Sequence, residues 1–134
     1  MQSNLEREIS AARKRIQFFF PVPHRPRIMA KSWLHAIRFI RFYAKHYAKI
    51  EGRPMPIPAI LLCPTASRWS IDFHWKDRIS GKQYELLVNV PETKYADFYG
   101  DVMVNRIIVQ KDKGRFVPEV LNKKLLSLIK NHER

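Results

Sequence analysis

This sequence predicts an α+β fold: two N-terminal helices, an antiparallel β-meander of four to five strands packed on helices, and one C-terminal helix. Three observations predict it. Apolar residues recur at three- and four-residue spacing over about residues 4–18 and again over 31–49, the period drops to two from residue 58, and helical spacing returns near residue 118. At 134 residues, 46% of them apolar, the chain is expected to form a single domain around one core. Residues 1–30, a helix and a Pro-rich connector, are the one segment that could stand off as a peripheral arm.

Ser3 with Glu6 three residues on is a capping-box pattern, and Leu5, Ile9, Ala12 and Ile16 then mark the apolar side of a helix over about 4–18. "FFFPVPHRPRIMAK" ends that helix, because closely spaced prolines lack the amide hydrogens a helix needs. The next helix spans 31–49, "KSWLHAIRFIRFYAKHYAK". At 100° per residue, Trp33, Ile37, Ile40, Ala44, Tyr47 and Ala48 share one face, with Ala36 and Tyr43 beside it. Arg38, Arg41, Lys45 and Lys49 lie opposite, with His35, Phe42 and His46 at their margin. Gly52 stops the helix and "RPMPIP" guards the boundary.

"AILLC" is a short buried strand. "WSIDFHW" alternates, with Trp69, Ile71, Phe73 and Trp75 on one side and Ser70, Asp72 and His74 on the other. A turn at Gly81 leads to "QYELLVNV", whose Tyr84, Leu86, Val88 and Val90 face inward. "YADFYGD" and "VMVNRIIVQ" supply one or two further strands broken near Gly100, "KDKGRF" is a loop, and Pro118 opens the last helix, buried through Leu121, Leu125, Leu128 and Ile129.

Residues 58–101 carry a resemblance. Pro64, Thr65, Ile71, Phe73, Trp75 and the Tyr99-Gly100-Asp101 turn match a β-hairpin found in small uncharacterised bacterial proteins, which runs roughly Pro-Thr-Pro-x-Gly-Gly-Ile-x-Leu-x-Trp before an apolar strand and an aromatic-Gly-Asp turn. Arg68 and Trp69 occupy the region of the glycines. The resemblance implies the hairpin and no activity.

Charge is the strongest functional signal. There are 25 Lys and Arg against 12 Asp and Glu, a formal net charge of +13. The surplus is +8 over residues 1–51 (eleven basic, three acidic), +1 over 52–110 (seven, six) and +4 over 111–134 (seven, three). Such an imbalance points to polyanionic company. Cys63, the single cysteine, has no partner for an intramolecular disulfide in this sequence, which fits a reducing, cytoplasmic setting. No apolar run reaches the roughly 20 residues of a membrane span, and residues 1–15 lack the apolar core of a secretory signal.

The expected function is therefore a small, basic, non-enzymatic nucleic-acid-binding protein, gripping phosphates through Arg38, Arg41, Lys45 and Lys49 on the 31–49 helix. Phe42 would stack on a base, and Arg25, Arg27, Lys123, Lys124 and Lys130 would extend the patch. A solvated helix face normally mixes charge signs, because i,i+4 pairs of opposite sign stabilise it, whereas residues 31–49 contain no acid at all. Two alternatives stand beside this one. The first is an adaptor or toxin–antitoxin-like subunit docking on an acidic protein. The second is a metal-dependent hydrolase or nuclease built on Asp72, His74 and Glu85, or on the Glu-x-Lys pair Glu92 and Lys94. A Cys63–His74 nucleophile–base pair is a lesser candidate. Five scattered histidines give no zinc spacing and four glycines no phosphate loop, so no cofactor is expected.

Overall fold

In the computed structural model, which describes residues 3–19, 27–64 and 69–133, helices α1 (Asn4–Phe19) and α2 (Arg27–Glu51) precede five strands. These are β1 (Ala59–Pro64), β2 (Trp69–Ile79), β3 (Lys82–Pro91), β4 (Ala96–Val104) and β5 (Ile107–Phe116), followed by α3 (Lys123–Lys130). The strands form one antiparallel sheet in the order β1-β2-β3-β4-β5. This is the α+β meander the periodicities predict.

Local chemistry explains the boundaries. The Glu6 amide donates to Ser3 Oγ at 3.2 Å, which caps α1. Gly52, at φ 72°, ends α2 in the left-handed conformation and donates its amide to Ala48 O at 2.9 Å. Ser80 and Gly81 (φ 54° and 79°) join β2 to β3, and Asn105 and Arg106 (φ 51° and 64°) join β4 to β5. Two consecutive positive φ values are the geometry of tight hairpin turns whose twist matches the strands.

That second turn corrects the predicted strand boundaries. The chain reverses at 105–106 and not near Gly100, so Tyr99-Gly100-Asp101 lies in mid-strand, and "KDKGRF" is the second half of β5. Gly100 serves packing: a Cβ there would meet the side chains of Leu86 and Leu128 at 3.4 Å. The last helix begins at Lys123, where the Asn122 side chain accepts from the Leu125 amide at 3.0 Å, and Pro118 sits in a turn before it.

All three helices contribute to one core against one face of the sheet. Ile9, Ala12 and Ile16 of α1 belong to it, so α1 is no detached arm, and residues 20–26 lie outside the described residues. The buried stripe of α2 is Ser32, Ala36, Ile37, Phe39, Ile40, Tyr43 and Tyr47. This is rotated from the predicted stripe: Ala48 is exposed, Trp33 and Ala44 are half-buried, and Phe39, absent from the prediction, is fully buried. Phe39 stacks with Tyr43, Phe73 and Phe116 at centroid distances of 4.8, 5.2 and 5.5 Å, tying α2 to β2 and β5. Ile60, Ile71, Phe73, Trp75, Leu86, Val88, Val90, Ala96 and Phe98 complete the inner face.

The two sheet edges differ. Arg15 of α1 donates to Ile60 O at 3.0 Å, and the Ile60 amide donates to Glu8 at 3.4 Å, so α1 uses backbone groups that β1 would otherwise leave free. At the other edge β5 exposes Ile107, Ile108 and Val109. Gly114 of β5 meets the ring of Phe98 so closely that a Cβ would lie 2.6 Å from Phe98 Cζ. Gly114→Ala is therefore expected to lower stability by about 1–3 kcal/mol, as overpacking does, measured as a shifted denaturation midpoint with unchanged slope. A neutral result would mean that Phe98 swings aside freely.

Candidate nucleic-acid interface

The side of α2 opposite its core stripe faces solvent, and Lys31, Arg38, Arg41, Lys45 and Lys49 on it are all exposed. From Arg38 to Lys49 the row runs about 16 Å at 1.5 Å per residue. Its rungs are not equivalent. Arg41 makes a two-pronged ion pair with Glu6 of α1, Nε to Oε1 at 2.8 Å and Nη2 to Oε2 at 3.0 Å. That hydrogen bond raises the Arg41 pKa and lowers that of the Glu6 carboxyl. Exposed pairs of this kind contribute at most about 1 kcal/mol, so the pair neutralises a rung more than it strengthens the fold. The expected uniform ladder becomes Arg38, Lys45 and Lys49, with Lys31 beyond them, and among the described residues these four have no carboxylate partner.

Phe42 departs from the prediction in a similar way. It is half-buried against the core, with its ring 4.5 Å from that of His46 and 5.9 Å from that of Tyr43. Its helical position lies at the edge of the charged face, close enough to the sheet side to pack. Arg25 lies outside the described residues, as does the side chain of Arg27. Of the α3 lysines, Lys124 pairs with Asp112 at 3.1 Å and Lys130 with Glu51 at 3.0 Å, while Lys123 is exposed.

Asp72, His74 and Glu85 do share the outer face of the sheet, but they divide into two groups. His74 Nε2 lies 2.8 Å from Glu85 Oε1, whereas Asp72 accepts from Asn89, which also donates to Ser70 Oγ at 2.7 Å. No group of three or more His, Cys, Asp or Glu among the described residues could hold a metal ion. Cys63 pairs in register with Ser70, while His74 pairs with Ala59. Burial, followed by the neighbouring Asp72, pushes the Cys63 thiol pKa up, away from the thiolate that a nucleophile requires. Glu92 and Lys94 lie in bends between β3 and β4, as the preceding Pro91 predicts, and not on a strand.

The structure also gathers residues that the sequence reading missed. On the outer face of β5, Lys111, Lys113 and Arg115 stand opposite Asp101, Tyr99 and Asp97. Burial, then repulsion from Glu85, raises the Asp101 carboxyl pKa, and Lys111 opposes both. Tyr95 and Tyr99 are exposed, at 48% and 40%. The available signal was the Lys-x-Lys-x-Arg alternation at 111–115, a period-two pattern within a segment read as loop. Among the described residues no helix is long and apolar enough to cross a membrane. No family model, curated protein or solved structure matches the chain.

Proposed function

We propose that this protein binds nucleic acid, gripping phosphates through the outward face of α2 without catalysing a reaction. The observation that carries this is the state of its cations. Arg38, Lys45 and Lys49 are exposed in a row and have no carboxylate partner among the described residues, while Arg15, Arg41, Arg53, Lys124 and Lys130 are paired. A row of unpaired cations on a rigid helix matches a run of phosphates, and neutralising them releases condensed counterions. No base-reading motif is present, so the grip is independent of sequence.

The test is the combined variant Arg38→Glu, Lys45→Glu and Lys49→Glu, compared with the wild type by fluorescence anisotropy on a labelled oligonucleotide across a salt series. Affinity is expected to fall about a hundredfold near 0.1 M salt, and the log–log salt slope to lose roughly 0.9 per phosphate contact removed. Circular dichroism and the denaturation midpoint should be unchanged, since all three side chains are exposed. Unaltered binding refutes the proposal.

A second reading, docking on an acidic protein, is favoured by β5. It is an edge strand with Ile107, Ile108 and Val109 exposed and Lys111, Lys113 and Arg115 beyond them, a surface to which an extended acidic segment could add as a sixth strand. The 260/280 nm absorbance ratio of the purified protein before and after a high-salt wash separates the two: co-purifying nucleic acid raises it, and an acidic protein does not.

A further inference from the structure

We infer that the corner where α2 meets the β3–β4 connection seats an unpaired nucleotide, so that the nucleic acid bound is single-stranded. This deepens the reading of α2 as a phosphate grip and rests on it.

Two clefts adjoin at consecutive residues of that connection. The smaller, about 200 Å³, brings together His35 and Arg38 of α2 with Lys94, against one carboxylate, Glu119. The larger, about 500 Å³, is walled by Tyr95 and Arg115 and carries the polar groups of Ser70, Asn89, Thr93 and Asp97. Arg38 thus belongs both to the α2 row and to the first cleft, and Lys94 leads directly to Tyr95, the ring of the second.

The chemistry of an unpaired nucleotide fits this order. Tyr95 is 48% exposed, and cations approach its ring from two elements, Lys94 Nζ at 5.5 Å and Arg115 at 6.0 Å from the centroid. An aromatic face flanked by cations is the combination that holds a base and its neighbouring phosphates. The larger cleft falls within the size range of small-ligand sites, and hydroxyl, amide and carboxylate groups there can meet the polar edge of a base. Arg115 pairs with Asp97 at 3.3 Å, both well exposed, so the guanidinium is held at the cleft without being removed from solvent. In a duplex the bases are stacked on one another and cannot reach a tyrosine face. A duplex could meet only the α2 row, whereas a single strand can leave that row at Arg38 and turn the corner.

The experiment measures anisotropy for labelled oligonucleotides of one sequence and about twenty nucleotides, single-stranded and duplex, with wild type, Tyr95→Ala, Tyr95→Trp and Lys94→Glu. The single strand is expected to bind roughly tenfold more tightly than the duplex, the value of about one stacked base. Tyr95→Ala should remove that preference while leaving duplex affinity unchanged, and Tyr95→Trp should keep it. Lys94→Glu, which sets a carboxylate beside Arg38, should weaken both forms and the single strand more. Equal or tighter duplex binding, or an unchanged single-strand affinity in Tyr95→Ala, overturns the inference. If the α2 charge-reversal variant still loses binding in that case, the phosphate grip stands and only the nucleotide seat fails. Displacement of the strand by an equimolar mononucleotide would assign the corner to a free nucleotide and likewise overturn it.

Discussion

Phe39→Ala is expected to lower folding stability by about 3–5 kcal/mol, a large share of the 5–15 kcal/mol typical of a whole domain. The side chain is fully buried, and its ring is shared among Tyr43 of its own helix, Phe73 of β2 and Phe116 of β5. Truncation removes apolar contact on three elements at once. The surrounding rings are themselves packed, Phe98 against Phe116 at 6.0 Å among them, so the site has little room to collapse. Phe39→Leu, which retains most of the volume, should cost far less. Urea denaturation reads both values. A loss below about 1 kcal/mol for the alanine variant would show that α2 does not dock on the sheet as described.

The second large effect lies at the opposite end of the core. His132, 3% exposed, contacts Asp77 of β2 through Nδ1 at 2.8 Å, and its ring lies 6.2 Å from that of Tyr84. Burial lowers the His132 pKa, and the upward pull of Asp77 is the smaller influence. The sign of the pH dependence follows. Below the ordinary imidazole value near 6.5 the unfolded chain takes up a proton that the folded chain refuses, so stability falls as pH drops through 6.5 and levels off once the folded value is passed. His132→Ala should cost about 2–3 kcal/mol at pH 7.5, combining a lost hydrogen bond with a cavity. Toward pH 5.5 the gap to wild type should narrow, because only the wild type carries this penalty. A gap that widens instead would mean that His132 protonates and forms a true ion pair with Asp77.

Much of the architecture can be read from residue order. The alternation of Ile71, Phe73 and Trp75, and of Leu86, Val88 and Val90, is strong because those strands are central and bury one face completely. The second half of β5 was hidden for the complementary reason. An edge strand with a solvated outer face needs few apolar residues, and Lys111, Asp112, Lys113 and Arg115 carry none of the usual strand composition. Phe39 escaped notice because apolar residues occupy so much of the α2 circumference that the centre of the stripe is set by the sheet it meets, not by the helix alone. The exposed basic row was legible at Arg38, Lys45 and Lys49, since it depends on helical spacing. The fate of Arg41 was not, because its partner Glu6 is 35 residues away in sequence. The Lys94–Tyr95 corner depends in the same way on α2, β5 and the β3–β4 connection meeting in space.

The strand order has a kinetic consequence. Each strand pairs with its immediate successor, and two of the hairpins close through only two residues each, Ser80–Gly81 and Asn105–Arg106. Chain-closure entropy grows with the logarithm of loop length, so these pairings can form early and independently of the rest. The aromatic cluster carries the larger closure cost, because Phe39 must meet Phe116 across the length of chain between them.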